Sequence, residues 1–170
     1  NMKQFINQEI ENQIKNVLIN VSKEGNQGLI KSDTQWTHRI KELLGNLGVS
    51  LDLKVCTGGF LERFEPEWLY DMVWYKEGEN YLLARVPLVM ESEWGRTLGD
   101  VKYDFEKLLL SNAELRLMVC QAKPDQVEEF ENYFKNAVPY FVQLNKGDRF
   151  LIAIFEEYVS DEFKFLTIVK

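Results

Sequence analysis

The segment ELRLMVCQ, residues 114–121, constrains the fold of this chain most strongly. Its successive apolar residues are typical of a strand that is buried on both faces, because a half-exposed strand would alternate with polar residues. A helical pattern precedes it from Leu98 to Asn112, and an amphipathic helical pattern follows it at residues 123–138. We therefore expect the α/β class, in which helices flank a central sheet.

The other segments also separate by the spacing of their apolar residues. Helical spacing covers residues 3–23, and a second helix is expected from Ser32 and Asp33, which are good capping residues, to Gly48. Strand patterns are expected at residues 51–55, 68–75, 81–93, 148–157 and 162–170. The resulting order is α-α-β-β-β-α-β-α-β-β. A hairpin-rich first part that passes through a crossover helix into a further strand predicts a mixed sheet.

The length of 170 residues fits one domain, residues 1–170. Within it we expect an N-terminal helical extension at residues 3–23 and a core at about residues 33–121. A C-terminal helix and two strands are expected at residues 123–170.

Features of membrane or exported proteins are missing from the sequence. No apolar run is long enough to span a membrane, and the first residues lack the pattern of an export signal. Cys56 and Cys120 lie in neither a CxxC motif nor a Cys/His cluster, so both are expected to be reduced thiols. We expect a cytoplasmic protein without a membrane partner.

Three carboxylates lie in or at the end of the strand-like segments of the central hairpin: Asp71, Glu91 and Glu93. A buried carboxylate is costly unless a positive or hydrogen-donating group meets it. Side chains alternate along a strand, so Glu91 and Glu93 point to the same side. Convergence of these acids would indicate a site at which something offsets the cost.

The register of the hairpin decides whether Asp71 meets Glu91. A tight turn centred on Gly78 would place Asp71 opposite Arg85. Pairing that starts only after Pro87 would instead place Asp71 opposite Glu91, and a bulge near Pro87 could supply part of the same shift. The sequence leaves both registers open.

A divalent cation would allow the three acids to converge, because carboxylates held close together otherwise repel one another. Mg²⁺ prefers a few carboxylate oxygens together with water, and the bound ion can polarise a phosphodiester. Asp104 and Lys107 lie on one flank of the next helix, in DFEKLL. From there Lys107 could lean over the acids and stabilise the charge on a reacting phosphate.

Each of these residues also has an ordinary structural interpretation. Asp71 could pair with Arg85 or Arg63, Glu93 could be a solvated strand end, and Asp104 with Lys107 could be a surface ion pair. His38, the only histidine, is expected to be exposed, which leaves Ser/His or Cys/His hydrolysis without a base. No Gly-rich phosphate loop of standard spacing is present.

Four features in order resemble the restriction-endonuclease-like, or PD-(D/E)xK, superfamily. They are an aspartate in one strand, LVMESEW ending the next, DFEKLL in a helix and the apolar strand LRLMVCQ. The resemblance covers residues 33–121 and implies an αβββαβ core. It implies Asp71 and Glu91 as metal ligands. Glu93 occupies the usual lysine position, which makes the motif an ExE variant, and Lys107 fits a lysine that has moved to the following helix.

The resemblance also implies supporting groups and an activity. Glu67 or Glu62 is the candidate for a further acid from a preceding element, and the carbonyl of Ser92 is a candidate ligand for Mg²⁺ or Mn²⁺. Glu93 would orient the attacking water and Lys107 would stabilise the phosphate. The implied function is metal-dependent hydrolysis of a phosphodiester in nucleic acid.

The charge balance keeps other functions open. The net charge of −7 and a pI near 4.9 disfavour nonspecific nucleic-acid binding, which requires clustered Lys and Arg. One alternative is a catalytically inactive module of the nuclease fold that binds a protein partner or forms a homodimer. Another is a small unrelated α/β domain with incidental acids.

Overall fold

The computed structural model describes residues 3–158 and 160–170. The predicted single domain, 1–170, also includes Asn1, Met2 and Val159, which lie outside the described residues. Four helices are present: α1 (Gln8–Asn26), α2 (Asp33–Ser50), α3 (Leu98–Leu109) and α4 (Val127–Tyr140). The six strands are β1 (Lys54–Thr57), β2 (Met72–Glu77), β3 (Leu83–Glu93), β4 (Leu115–Ala122), β5 (Arg149–Glu156) and β6 (Phe163–Val169). Their order along the chain is the predicted order, and a short 3₁₀ turn at Glu79–Tyr81 joins β2 to β3.

The strands form one mixed open sheet with the spatial order β1-β2-β3-β4-β5-β6. The first three strands are antiparallel neighbours, and β6 is antiparallel to β5. Strands β3, β4 and β5 run parallel, because α3 and α4 provide the crossovers between them. The predicted α/β class and the mixed sheet are confirmed.

Strand β4 lies between two apolar layers and is buried at every position, as predicted. Leu117 and Val119 belong to the layer that includes α1 and α2, whereas Met118 and Cys120 belong to the layer that includes α3 and α4. Alternation along the strand explains this division, since successive side chains point to opposite faces. The sheet is therefore covered by a helical layer on each face.

The N-terminal segment, predicted as a helical extension, contributes to the first of these layers. Ile14, Leu18 and Val21 of α1 are fully buried. The helix begins at Gln8 and not at Lys3, because the side chain of Asn7 caps it by accepting a hydrogen bond from the Ile10 amide at 2.9 Å. None of the helices in the described ranges has the length and apolar character needed to cross a membrane.

Several predicted strand and helix boundaries differ from those observed. Strand β2 begins at Met72 and not at Trp68, because Leu69 adopts a left-handed φ of 65°, which interrupts an extended chain. Strand β1 lies at Lys54–Thr57 and not at residues 51–55, because α2 continues to Ser50. Helix α3 ends at Leu109, before the predicted Asn112.

Candidate active site

The register of β2 against β3 brings Asp71 and Glu91 together. Met72 pairs with Met90 and Val73 pairs with Val89. Asp71 directly precedes β2, and continuation of this register places it opposite Glu91. Directly opposite residues of antiparallel strands have Cβ atoms about 4.5–5.5 Å apart, so the two carboxylates are neighbours.

Two register shifts in β3, one at Val86 and Pro87 and one at Ala84, contribute to this register. Trp74 pairs with Leu88, but Lys76 pairs with Arg85, so two residues of β3 at Val86 and Pro87 stand against one residue of β2. The expected bulge at Pro87 is confirmed. The register set by a tight turn at Gly78 is therefore wrong, and the register that sets Asp71 opposite Glu91 is the one that holds. Pairing nevertheless begins at Leu83, so the expected start of pairing only after Pro87 is wrong.

The Asp71 side chain is held by the backbone of the neighbouring strand. Its Oδ2 accepts a hydrogen bond from the Ser92 amide at 2.8 Å, and its own carbonyl accepts one from the Thr57 hydroxyl at 2.7 Å. Burial raises the pKa of Asp71, while the Ser92 amide lowers it. Of the two arginines considered as structural partners, Arg63 binds Glu42 and Asn46, and Arg85 lies 3.5 Å from Glu114.

Glu91 is a buried carboxylate with a lysine beside it. The side chain is 1% exposed, and Lys107 Nζ of α3 lies 2.8 Å from its Oε1. Burial raises the pKa of Glu91 to about 7; the contact with Lys107 lowers it and the charge of Asp71 raises it further. Helix α3 therefore places Lys107 over the end of β3, as the spacing of DFEKLL predicts.

Glu93 lies one step further along β3 and contacts α3 as well. Its Oε1 accepts a hydrogen bond from the Gly95 amide at 2.5 Å. Burial raises the pKa of Glu93, and so does a hydrogen bond between its carboxyl group and that of Asp104. Lys107 Nζ is 3.4 Å from Asp104 Oδ1, which links this pair to Glu91. Glu93 is thus a half-buried residue at the end of β3, and its contacts with Gly95 and Asp104 favour a member of the site over the alternative of a simply solvated strand end.

We call Asp71, Glu91, Glu93 and Asp104 the carboxylate cluster. A cleft of about 680 Å³ opens beside it and is lined by Ser92, Glu93 and Trp94 of the sheet end. The opposite wall of the cleft is formed by α2 and by the turn at Gly58 and Gly59. A larger groove of about 910 Å³ lies between α3 and α4, but apolar and aromatic side chains dominate its lining. Glu93 is the member of the carboxylate cluster that lines the smaller cleft.

The supporting acids predicted from preceding elements occupy different places. Glu67 lines the cleft and its charge raises the pKa of Asp71, although burial is the main cause of that shift. Glu62 is an exposed turn residue with a φ of 65°. His38 is exposed, as predicted; it lines the cleft and stacks on Phe60 with ring centroids 4.3 Å apart.

The sequence did not single out Lys41, which also lines the cleft. Its Nζ lies 3.2 Å from Glu67 Oε2, and its side chain is 11% exposed. Gly45 and Gly48 follow it by four and seven residues and are also buried. This spacing places the lysine and the two glycines on one face of the helix, and that pattern could have indicated a close approach of α2 to the sheet.

The donor types in this region fit a divalent metal ion. The cluster has four carboxylates with one lysine, Lys107, in contact, so its negative charges outnumber the positive charge beside them when the acids are ionised. Carboxylate and carbonyl oxygens are the ligands that Mg²⁺ and Mn²⁺ prefer. The described residues contain no group of three or more His, Cys, Asp or Glu arranged to hold a metal ion. A bound ion would therefore take a carboxylate pair with backbone carbonyl and water.

Comparisons of the chain with protein-family models, with curated proteins and with solved structures found no match.

Proposed function

We propose that this protein is a nuclease of the PD-(D/E)xK type that hydrolyses a phosphodiester bond with Mg²⁺ or Mn²⁺. The observation that carries the proposal is the 2.8 Å contact of Lys107 Nζ with Glu91, on the strand position opposite Asp71. A lysine supplied by α3 compensates for Glu93 at the position where the superfamily usually has its lysine. The mixed sheet and the α3 crossover are consistent with the αβββαβ core that the resemblance implies.

Each group of the site has a role in this proposal. Asp71, Glu91 and the Ser92 carbonyl hold the cation, which when bound polarises the phosphodiester and lowers the pKa of water. Glu93 orients the attacking water, and Asp104 fixes the Glu93 carboxyl through the hydrogen bond between them. Lys107 stabilises the negative charge that develops on the phosphate. Burial is the main cause of the raised pKa values of Asp71, Glu91 and Glu93, and the neighbouring carboxylates raise them further. A bound cation would offset this repulsion.

Cleavage of plasmid and single-stranded DNA in Mg²⁺ or Mn²⁺ tests the proposal. We expect metal-dependent cleavage by the wild type and a loss of about 100-fold or more in Glu91→Gln and in Lys107→Met. Lys102→Met is the matched control, because Lys102 lies on the same helix in an exposed ion pair with Glu106 at 3.6 Å. That control is expected to cleave like the wild type.

Two results would reject the nuclease proposal. Cleavage that survives in Glu91→Gln would show that the activity belongs to a contaminant or to another site. Absence of both cleavage and metal binding in the wild type would favour the second candidate function.

That second candidate is an inactive nuclease-fold module that binds a protein partner or forms a homodimer. The observation in its favour is the groove between α3 and α4, which has the exposed apolar residues Leu110 and Tyr140 on its lining. The net charge of −7 also suits a protein partner better than nucleic acid. Light scattering of the purified protein would identify a homodimer directly.

A further inference from the structure

Lys41 has no role in the chemistry proposed above, yet it lies in the same cleft as Ser92 and Glu93. Its side chain is 11% exposed, and a buried ammonium group is costly unless an anion accompanies it. The anion present is Glu67, whose Oε2 is 3.2 Å from Lys41 Nζ and whose side chain is 51% exposed. The Lys41 side chain is therefore held in the wall of the cleft, whereas the Glu67 carboxylate can move into water.

Helix α2 and the Gly58 turn fix this arrangement. A Cβ on Gly48 would approach Trp74 Nε1 to 2.7 Å, so α2 lies against the sheet and the Lys41 side chain extends along the wall. A Cβ on Gly58 would approach Glu67 Oε2 to 2.9 Å. The space that the Glu67 carboxylate occupies beside Lys41 therefore depends on a glycine at position 58.

Lys41 differs in charge from the acidic residues that line the same cleft. Among the described residues that line the cleft, Lys41 is the one lysine or arginine, whereas Asp33, Glu67 and Glu93 are acidic. Within that described lining, Lys41 is the side chain that can meet a phosphodiester anion with a permanent positive charge. Glu67 is half-exposed, so its displacement into water restores its hydration at low cost.

We propose that Lys41 is a substrate-positioning residue whose ammonium binds a backbone phosphate next to the one that is cut, in place of Glu67. This inference rests on the proposed nuclease function. Lys107 belongs to α3 on one face of the sheet, and Lys41 belongs to α2 on the other face. A nucleic-acid strand held by both lysines crosses the end of β3 from the α3 side to the α2 side.

A merely structural ion pair leads to different behaviour. In that case Lys41→Gln and Glu67→Gln would each lower the melting temperature and leave nucleic-acid binding unchanged. If Lys41 binds phosphate, the two substitutions act in opposite directions on binding, because Glu67 competes with the phosphate for the same ammonium group.

Fluorescence anisotropy of a labelled oligonucleotide, over a series of salt concentrations, distinguishes the two. Binding is measured in a Glu91→Gln background, in which the oligonucleotide stays intact. We expect Lys41→Gln to weaken binding about tenfold and to reduce the slope of log K against log salt by about one. Glu67→Gln is expected to tighten binding a few-fold, and Lys41→Arg to keep the slope.

The controls separate this inference from the nuclease proposal. Wild-type protein is assayed for cleavage in Mg²⁺ alongside the binding series, and Lys102→Gln serves as the matched removal of an exposed lysine. Cleavage by the wild type together with unchanged affinity and slope in Lys41→Gln overturns the role of Lys41 alone. Weaker binding in Glu67→Gln overturns it as well. A wild type that neither binds nor cleaves overturns the nuclease proposal and this inference together.

Discussion

Glu91 is the side chain in which stability and proposed function conflict most directly. It is 1% exposed, and burial raises its pKa to about 7 although Lys107 lies 2.8 Å away. Part of the population is therefore protonated near neutral pH. A carboxylate that is costly to ionise in the folded protein is a group for which a bound cation would be stabilising.

The pH dependence of unfolding follows from this pKa. Glu91 binds its proton more tightly in the folded state, so its contribution to stability is present below pH 4.5 and is lost as pH rises to about 7. Glu91→Gln mimics the protonated form. We expect it to match the wild type at pH 4.5 and to exceed it at pH 8 by at most about 3 kcal/mol, as measured by urea unfolding without divalent metal.

A less stable Glu91→Gln at pH 8 would contradict this interpretation, because it would mean that the contact with Lys107 outweighs burial. Lys107→Met at the same two pH values is the natural comparison. Without the ammonium group, Glu91 should hold its proton to still higher pH.

The sequence indicated part of this site and missed the rest for identifiable reasons. Asp71, Glu91 and Lys107 could be selected because acids within apolar strands and a lysine on a helix flank are unusual positions. The hydrogen bond between Glu93 and Asp104 could not be predicted, because it depends on where α3 packs. Lys41 was missed because a lysine on a helix is ordinarily solvated.

At the scale of elements, the order was predictable and the boundaries and register were not. Apolar spacing alone specified every helix and strand in sequence, including the doubly buried β4. Register depends on two irregularities of β3, one at Val86 and Pro87 and one at Ala84, and no pattern in the sequence gives their effect on pairing. The start of α1 depends on one hydrogen bond from the Asn7 side chain, which spacing does not reveal.

The close approach of α2 to the sheet is testable at Gly48. A Cβ at this position would lie 2.7 Å from Trp74 Nε1 and 2.8 Å from Val55 Cγ2, both of them buried side chains. We expect Gly48→Ala to lower the free energy of unfolding by about 1–3 kcal/mol, even though alanine favours a helix by about 1 kcal/mol. Urea unfolding followed by tryptophan fluorescence measures the change.

Gly99→Ala in α3 is the matched control, because the nearest atom to its added Cβ would be Thr97 Oγ1 at 3.6 Å, an ordinary contact. It should be as stable as the wild type or slightly more so. A Gly48→Ala protein that behaves like this control would mean that α2 does not lie as close to Trp74 as described.

At the scale of the whole molecule, a single ligand is expected to affect several elements together. The net charge is −7, and the carboxylate cluster joins β2, β3 and α3 at one end of the sheet. The two strands belong to a sheet enclosed by two helical layers, and α3 belongs to one of those layers. A cation bound there should stabilise the folded state as a whole by mass action.

Calorimetric titration of Mn²⁺ into the wild type and into Asp71→Asn tests the central claim, that acids from separate strands form one cation site. The control is Asp52→Asn, which removes an exposed acid in an ion pair with Lys76 at 3.0 Å. We predict one binding event in the wild type and in the control, weakened at least about tenfold in Asp71→Asn. Equal binding by Asp71→Asn and the wild type, or no binding by the wild type, would contradict the claim.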